Sequence, residues 1–324
     1  MKPFEKHNKQ LKILKSRGLN YSKDAKRHLE NENYYNIING YKDLFLQLDK
    51  QGRPVTPEMF VPNTHFNEIF GLYKLDRRLR NTLLEYLLVF ETNVKSRVAY
   101  FFSEKYTEPH SYLYFKNYSH DVHKTDSIVR TVATISRVMS NNTNKPLKHY
   151  MNKHNGVPLW VLVNYLTIGN ISHMYLNLDD DLREKIVMDY KTKLKREYNK
   201  ILQIEPLDLD SILNQVNLFR NVCAHEERLY DYSIRKPKVR KNLFANYNKL
   251  YNKSLTPTIN GSYMYDLLVS LSIFLNKKDF RKLLENLNKN MDYYSKDFST
   301  VKINDLFIKM GFPTGENFKS LINK

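Results

Sequence analysis

One cysteine, nine glycines and eleven prolines are spread through 324 residues, and each scarcity excludes a class of structure. Cys223, standing alone, cannot close an intrachain disulfide, so the chain is no cystine-stapled secreted module and a reducing cytoplasm is its expected home. So little glycine and proline argues against an all-β design built on many tight turns. No run approaches the roughly 18–20 uninterrupted apolar residues of a membrane span. The opening Met1-Lys2-Pro3-Phe4-Glu5-Lys6-His7 is charged and lacks an apolar stretch, so no secretory signal is expected there. Metal-ligand spacings are missing as well: there is no HExxH, no CxxC and no pair of histidines four apart on one helix. With no glycine-rich phosphate loop and no G-x-S-x-G elbow either, neither a metal nor a cofactor is expected.

Positive charge and tyrosine are what the chain has in plenty. Lys and Arg number 52 against 34 Asp and Glu, a net charge of +18, and 24 Tyr and 17 Phe are interleaved with them. That mixture suits single-stranded RNA, with phosphates held by cations and bases stacked on rings. A lysine-rich solubilising surface over tyrosines packed in a core fits the same composition.

Helical periodicity dominates the chain. Ser22 reads as the N-cap of a helix over Lys23–Asn31, and a second, aromatic-rich helix is expected over Glu32–Gln47. The glycine and prolines of 48–63 predict a loop, followed by a long helical run over His65–Tyr106. Further helices are expected over Thr125–Ser140, Trp160–Leu178, Leu182–Asn199, Ser262–Leu275, Lys278–Leu287 and Val301–Met310. Gly169, inside the apolar run, marks a place where another helix packs close. The layout is all-α, divided into N-terminal helices and loop (1–64), a helical core (65–240) and C-terminal helices (241–324).

The stretch from Leu218 to Tyr230 organises the rest. Ser211–Arg228 holds neither glycine nor proline, and Ile212, Val216, Phe219 and Cys223 recur at helical spacing as a core stripe. Advancing about 100° per residue puts Asn214, Asn217, Asn221 and His225 on the opposite, polar side. A face of Asn and His rather than Lys and Glu suggests a contact with protein or RNA. Arg220 lies at the edge of the core stripe, about 140° from His225 on a straight helix. With 16 Arg and 10 His in the chain, a His five, six or seven positions after an Arg arises by chance about 1.5 times, so the pair alone says little.

Context says more. Arg220-Asn221-Val222-Cys223-Ala224-His225, followed by Arg228-Leu229-Tyr230, resembles the R-N-x-x-x-H motif of HEPN-domain ribonucleases, and more narrowly the abortive-infection (Abi, AbiD/AbiF-like) proteins. The stretches Tyr34–Tyr41, Phe70–Arg80, Pro158–Leu162, Leu166–Ser172 and Gly311-Phe312-Pro313 resemble that family in the same order. The resemblance implies an all-α, HEPN-type helical bundle with additional N- and C-terminal helices. It implies a metal-independent endoribonuclease acting as a phage-defence toxin, with Arg220, Asn221 and His225 catalytic. Glu91, Arg97 and Arg228 would support them. Such chemistry uses the ribose 2′-hydroxyl as nucleophile, histidine as base or acid, and arginine on the phosphate. One motif per chain implies a homodimer through the Asn214/Asn221/His225 face. The family further implies restraint by a non-coding RNA antitoxin. Lys193, Lys195, Arg196, Arg235, Lys236, Lys238, Arg240 and Lys241 are the expected RNA contacts. The other reading is a non-catalytic RNA-binding or scaffold protein of the same fold.

Overall fold

The computed structural model describes residues 4–140, 145–154, 156–235, 240–258 and 262–322. Within them the fold is all-α: α1 (His7–Ser16), α2 (Ala25–Glu32), α3 (Phe66–Lys105), α4 (Thr125–Ser140), α5 (Lys145–Lys153), α6 (Leu159–Leu162), α7 (Ile168–Asn177), α8 (Asp180–Tyr198), α9 (Pro206–Ala224), α10 (Lys241–Tyr251), α11 (Met264–Phe274), α12 (Lys277–Tyr294) and α13 (Ile303–Lys309). Short 3-10 and π turns join them, and the described residues contain isolated β-bridges but no strand. Among the described residues no helix is long and apolar enough to cross a membrane.

The chain forms two compact units, one of Met1–Leu83, Val222–Tyr232 and Lys282–Asn323, the other mainly of Leu84–Asn221 and Ser233–Arg281. In the first unit, Phe66, Ile69, Leu72, Leu75 and Leu79 of α3 recur at three and four residues and are fully buried, which is why this stretch is helical. The Glu68 carboxylate accepts from the main-chain N–H groups of Ser299 and Thr300, both at 2.7 Å. A Cβ on Gly71 would stand 3.4 Å from the Phe298 ring, so the glycine lets that C-terminal segment lie close against α3. In the second unit α11 is buried along its whole length. Its Phe274 ring meets Phe90 and Tyr190 edge-on.

Two of the expected helices are broken. Over Glu32–Gln47 the chain makes a π turn (Tyr35–Asn39) and a 3-10 turn (Asp43–Phe45) instead of one helix. Asn33 adopts φ 68°, which ends α2 and re-aims the chain. The apolar run Trp160–Leu178 is split, because Thr167 caps α7 by accepting from Asn170 N–H while the Asn170 side chain accepts from Thr167 N–H. Helix α3, in contrast, runs unbroken for 40 residues. Gly169 behaves as its position suggested: a Cβ there would meet Asn217 Oδ1 of α9 at 3.4 Å. The turn read at 141–144 lies outside the described residues.

Candidate active site

Helix α9 ends at Ala224, four residues short of the predicted end. Glu226 takes a left-handed φ of 56°, and Glu227 N–H turns back to donate to the Val222 carbonyl at 3.0 Å. This six-to-one closure satisfies a carbonyl that the end of the helix leaves open, a role usually given to glycine. His225 therefore lies in the turn just past the helix and not on a continuing polar stripe, so the straight-helix angle to Arg220 does not apply to it. The division between the two units falls at Val222, so Arg220 and Asn221 are placed by the second unit and His225 by the first.

Within the first unit, the segment after His225 is tied down by a buried aspartate. Asp76 of α3 is fully buried. Its Oδ1 accepts from Tyr230 N–H at 2.7 Å, and its Oδ2 accepts from Leu229 N–H at 3.1 Å and from the Tyr41 hydroxyl at 2.7 Å. Arg80, one helical turn on, pairs with the same carboxylate and also donates to the Glu227 carbonyl at 3.1 Å. Complete burial pushes the Asp76 carboxyl up, opposed by Arg80, the Tyr41 hydroxyl and the two main-chain donors. On the solvent side Arg228 donates to the Gly40 carbonyl at 2.7 Å and pairs with Asp43 at 2.9 Å and Asp231 at 2.8 Å.

The result is a pocket of about 360 Å³ in which His225 and Glu226 face Tyr35, Asn36, Tyr41, Tyr73, Arg80 and Arg228. Burial, and then the Asp76 charge, raise the Tyr41 hydroxyl, while burial and the hydrogen bond to Glu32 raise Tyr73 to about 12. Neither phenol serves as a proton source near neutrality. His225 is exposed and makes no hydrogen bond or ion pair among the described residues.

In the second unit Arg220 is half-buried, and its Nε lies buried without an acceptor among the described residues. Asn221 is exposed. Asn214 and Asn217 of the polar stripe line a groove of about 590 Å³ with Ser172, His173 and Arg240. Glu91 pairs with Lys95 at 2.6 Å, and Arg97 with Asp189 at 2.7 Å while stacking on the Tyr190 ring. Their partners are thus other than Arg220, Asn221 and His225. Cys223 is buried and its thiol is pushed up to about 12 by burial, as befits a packing residue rather than a nucleophile.

Of the expected RNA contacts, Lys193 is turned into the interior. Its side chain is buried, and Nζ donates to the Phe274 and Leu275 carbonyls at 2.9 and 3.1 Å, closing the end of α11. Arg240 pairs with Glu205 and Asp208. Lys195, Arg196, Arg235 and Lys241 are exposed, and Lys236 and Lys238 lie outside the described residues. The Asp76–Arg80–Tyr41 clamp was missed by sequence reasoning. The four-residue spacing of Asp76 and Arg80 signals an ion pair, but nothing local signals its bonds to residues 227–230. Among the described residues no cluster of three or more His, Cys, Asp or Glu could hold a metal ion.

A model of the Abi-like protein family matches residues 27–231, a span that contains both the clamp and the Arg220–His225 motif. No curated protein and no solved structure matches the chain.

Proposed function

Because the chain belongs to the Abi-like protein family, we propose that it is an abortive-infection protein that cleaves RNA without a metal ion. The observation that carries this reading is His225: it is exposed on a turn that Asp76, Arg80 and Arg228 pin from both sides, inside a pocket walled by tyrosines and arginines. A histidine held there can take the proton of a ribose 2′-hydroxyl or return one to the leaving 5′-oxygen. The 2′-oxygen attacks the adjacent phosphorus, the bond to the 5′-oxygen breaks, and the products are a 2′,3′-cyclic phosphate and a 5′-hydroxyl. Arg220, whose buried Nε has no acceptor among the described residues, is assigned to the negative charge on the phosphorane, and Asn221 to orienting the reacting groups. DNA lacks the nucleophile and is spared.

One motif per chain makes a homodimer through the Asn214/Asn221/His225 face the working form, with two motifs sharing one cleft. The +18 net charge suits a non-coding RNA that covers the site and restrains the enzyme in the cell.

The test is incubation of purified protein with labelled RNA in excess EDTA. Cleavage leaving cyclic-phosphate ends, abolished in His225→Ala and in Arg220→Ala protein of unchanged circular dichroism, is the expected result. A folded His225→Ala protein that still cleaves refutes the mechanism. Tight RNA binding with no cleavage by the native chain would establish the non-catalytic scaffold in its place.

A further inference from the structure

The second unit holds a groove whose lining includes none of Arg220, Asn221 and His225. It is about 860 Å³ and runs along α3 and α6, with Glu91, Lys95, Tyr100, Trp160 and Asn164 among its lining. Two large rings stand open to solvent at its rim, Trp160 at 60% and Tyr100 at 62% exposure. At its floor the Glu91 side chain is 9% exposed and bonds Lys95 Nζ through Oε1 at 2.6 Å. Glu91 Oε2 is buried and accepts no hydrogen bond among the described residues. A buried carboxylate with a free oxygen, a lysine ammonium beside it and stacking rings above make a pattern with a specific complement.

That complement is guanine. Its Watson–Crick edge carries N1–H and N2–H side by side, two donors that a single carboxylate accepts together, next to the acceptor O6 that an ammonium can meet. Adenine offers one donor and one acceptor on that edge, and uracil a single donor between two acceptors, so each gives the carboxylate one hydrogen bond where guanine gives two. The exposed rings supply stacking, which every base shares and which fixes no identity. We propose that the α3/α6 groove binds an unpaired guanine of RNA, Glu91 and Lys95 reading its edge and Trp160 stacking on its face. The inference shares with the preceding one only the premise that RNA is the ligand, and its test requires no cleavage.

Trp160 is the only tryptophan in the chain, so its fluorescence reports on the surface around this one side chain. The full-length protein is titrated with an unstructured oligouridylate carrying one central guanosine, with the same oligomer carrying adenosine, and with guanosine monophosphate. The guanosine oligomer should quench Trp160 at concentrations at least tenfold lower than the adenosine oligomer, with the mononucleotide weaker than the guanosine oligomer. Glu91→Gln, which halves the acceptor set, should bring the two oligomers together. Because Glu91 is buried in an ion pair, Trp160→Ala at an exposed site provides a second variant. Followed by anisotropy of labelled oligomers, it should weaken both by about tenfold or more, as loss of a stacked base predicts. Equal quenching by the two oligomers would overturn the guanine assignment. A mononucleotide binding as tightly as the oligomer would make this a free-nucleotide site and overturn the RNA assignment. Emission insensitive to all three, with the groove closed by a second copy in solution, would overturn both.

Discussion

Replacing Asp76 with asparagine keeps the shape of the clamp and removes its charge. Arg80, whose side chain is 3% exposed, then loses its counter-ion in the interior. Breaking a buried pair from one side costs about 3–5 kcal/mol, since the stranded charge is not rehydrated. The main chain adds to this. Leu229 and Tyr230 both donate to Asp76, and an asparagine amide presents one oxygen to them and one competing donor. An orphaned buried N–H costs about 1–3 kcal/mol. The two costs overlap, and a loss of about 4 kcal/mol is expected, a large share of the 5–15 kcal/mol that typically separates folded from unfolded domains. Urea titration followed by circular dichroism measures it. The double substitution Asp76→Leu with Arg80→Met should recover part of the loss, because no charge is left buried, but not all of it, because the two N–H groups stay unmatched. A loss below about 1 kcal/mol for Asp76→Asn would show that the carboxylate does not anchor the turn. Cleavage by the protein that remains folded should fall with the clamp, since His225 then samples positions away from the scissile phosphate.

Three other outcomes are expected. Burial lowers the Lys193 ammonium from 10.5 to about 8. Below about pH 8 both folded and unfolded chains are protonated there, and between pH 8 and 10.5 only the unfolded chain is, so stability from this group rises with pH across that window. The stability of the native chain relative to Lys193→Met should rise by about 2–4 kcal/mol over it, and an unchanged difference in denaturant titrations would refute the reading. Glu226→Gly relieves a left-handed residue and should raise the unfolding midpoint by about 1 kcal/mol equivalent, whereas destabilisation would mean the glutamate side chain anchors the turn. Light scattering should give a dimer at micromolar concentration, and mixing Arg220→Ala with His225→Ala chains should restore some cleavage; a cleaving monomer would remove the shared cleft.

Much of the helical layout is legible in the sequence because long apolar periodicities decide it: α3, α4 and α8 follow their leucines and isoleucines almost to the residue. The misses come where a short polar residue outweighs the periodic pattern. Asn33 turns the chain left-handed in the middle of an aromatic run, and Thr167 with Asn170 closes a cap inside an apolar one. The end of α9 is the hardest of these, because Glu226 is an unfavourable residue for a left-handed position and no local preference announces it. What holds that turn is Asp76, about 150 residues earlier in the chain, and one sequence read alone shows no such pairing. Lys193 shows the same limit for charge: composition counts it as one more cation for RNA, and only packing shows that it caps a helix.

The lone thiol of Cys223 sits two residues before His225, buried and poor in thiolate. A thiol reagent can reach it only when the end of α9 opens, so the labelling rate under native conditions measures how often that happens. With no second cysteine to confuse the signal, the native chain carries its own probe of the histidine turn. Protection of the thiol by added RNA would show that a ligand steadies this turn, with no mutation and no attached dye.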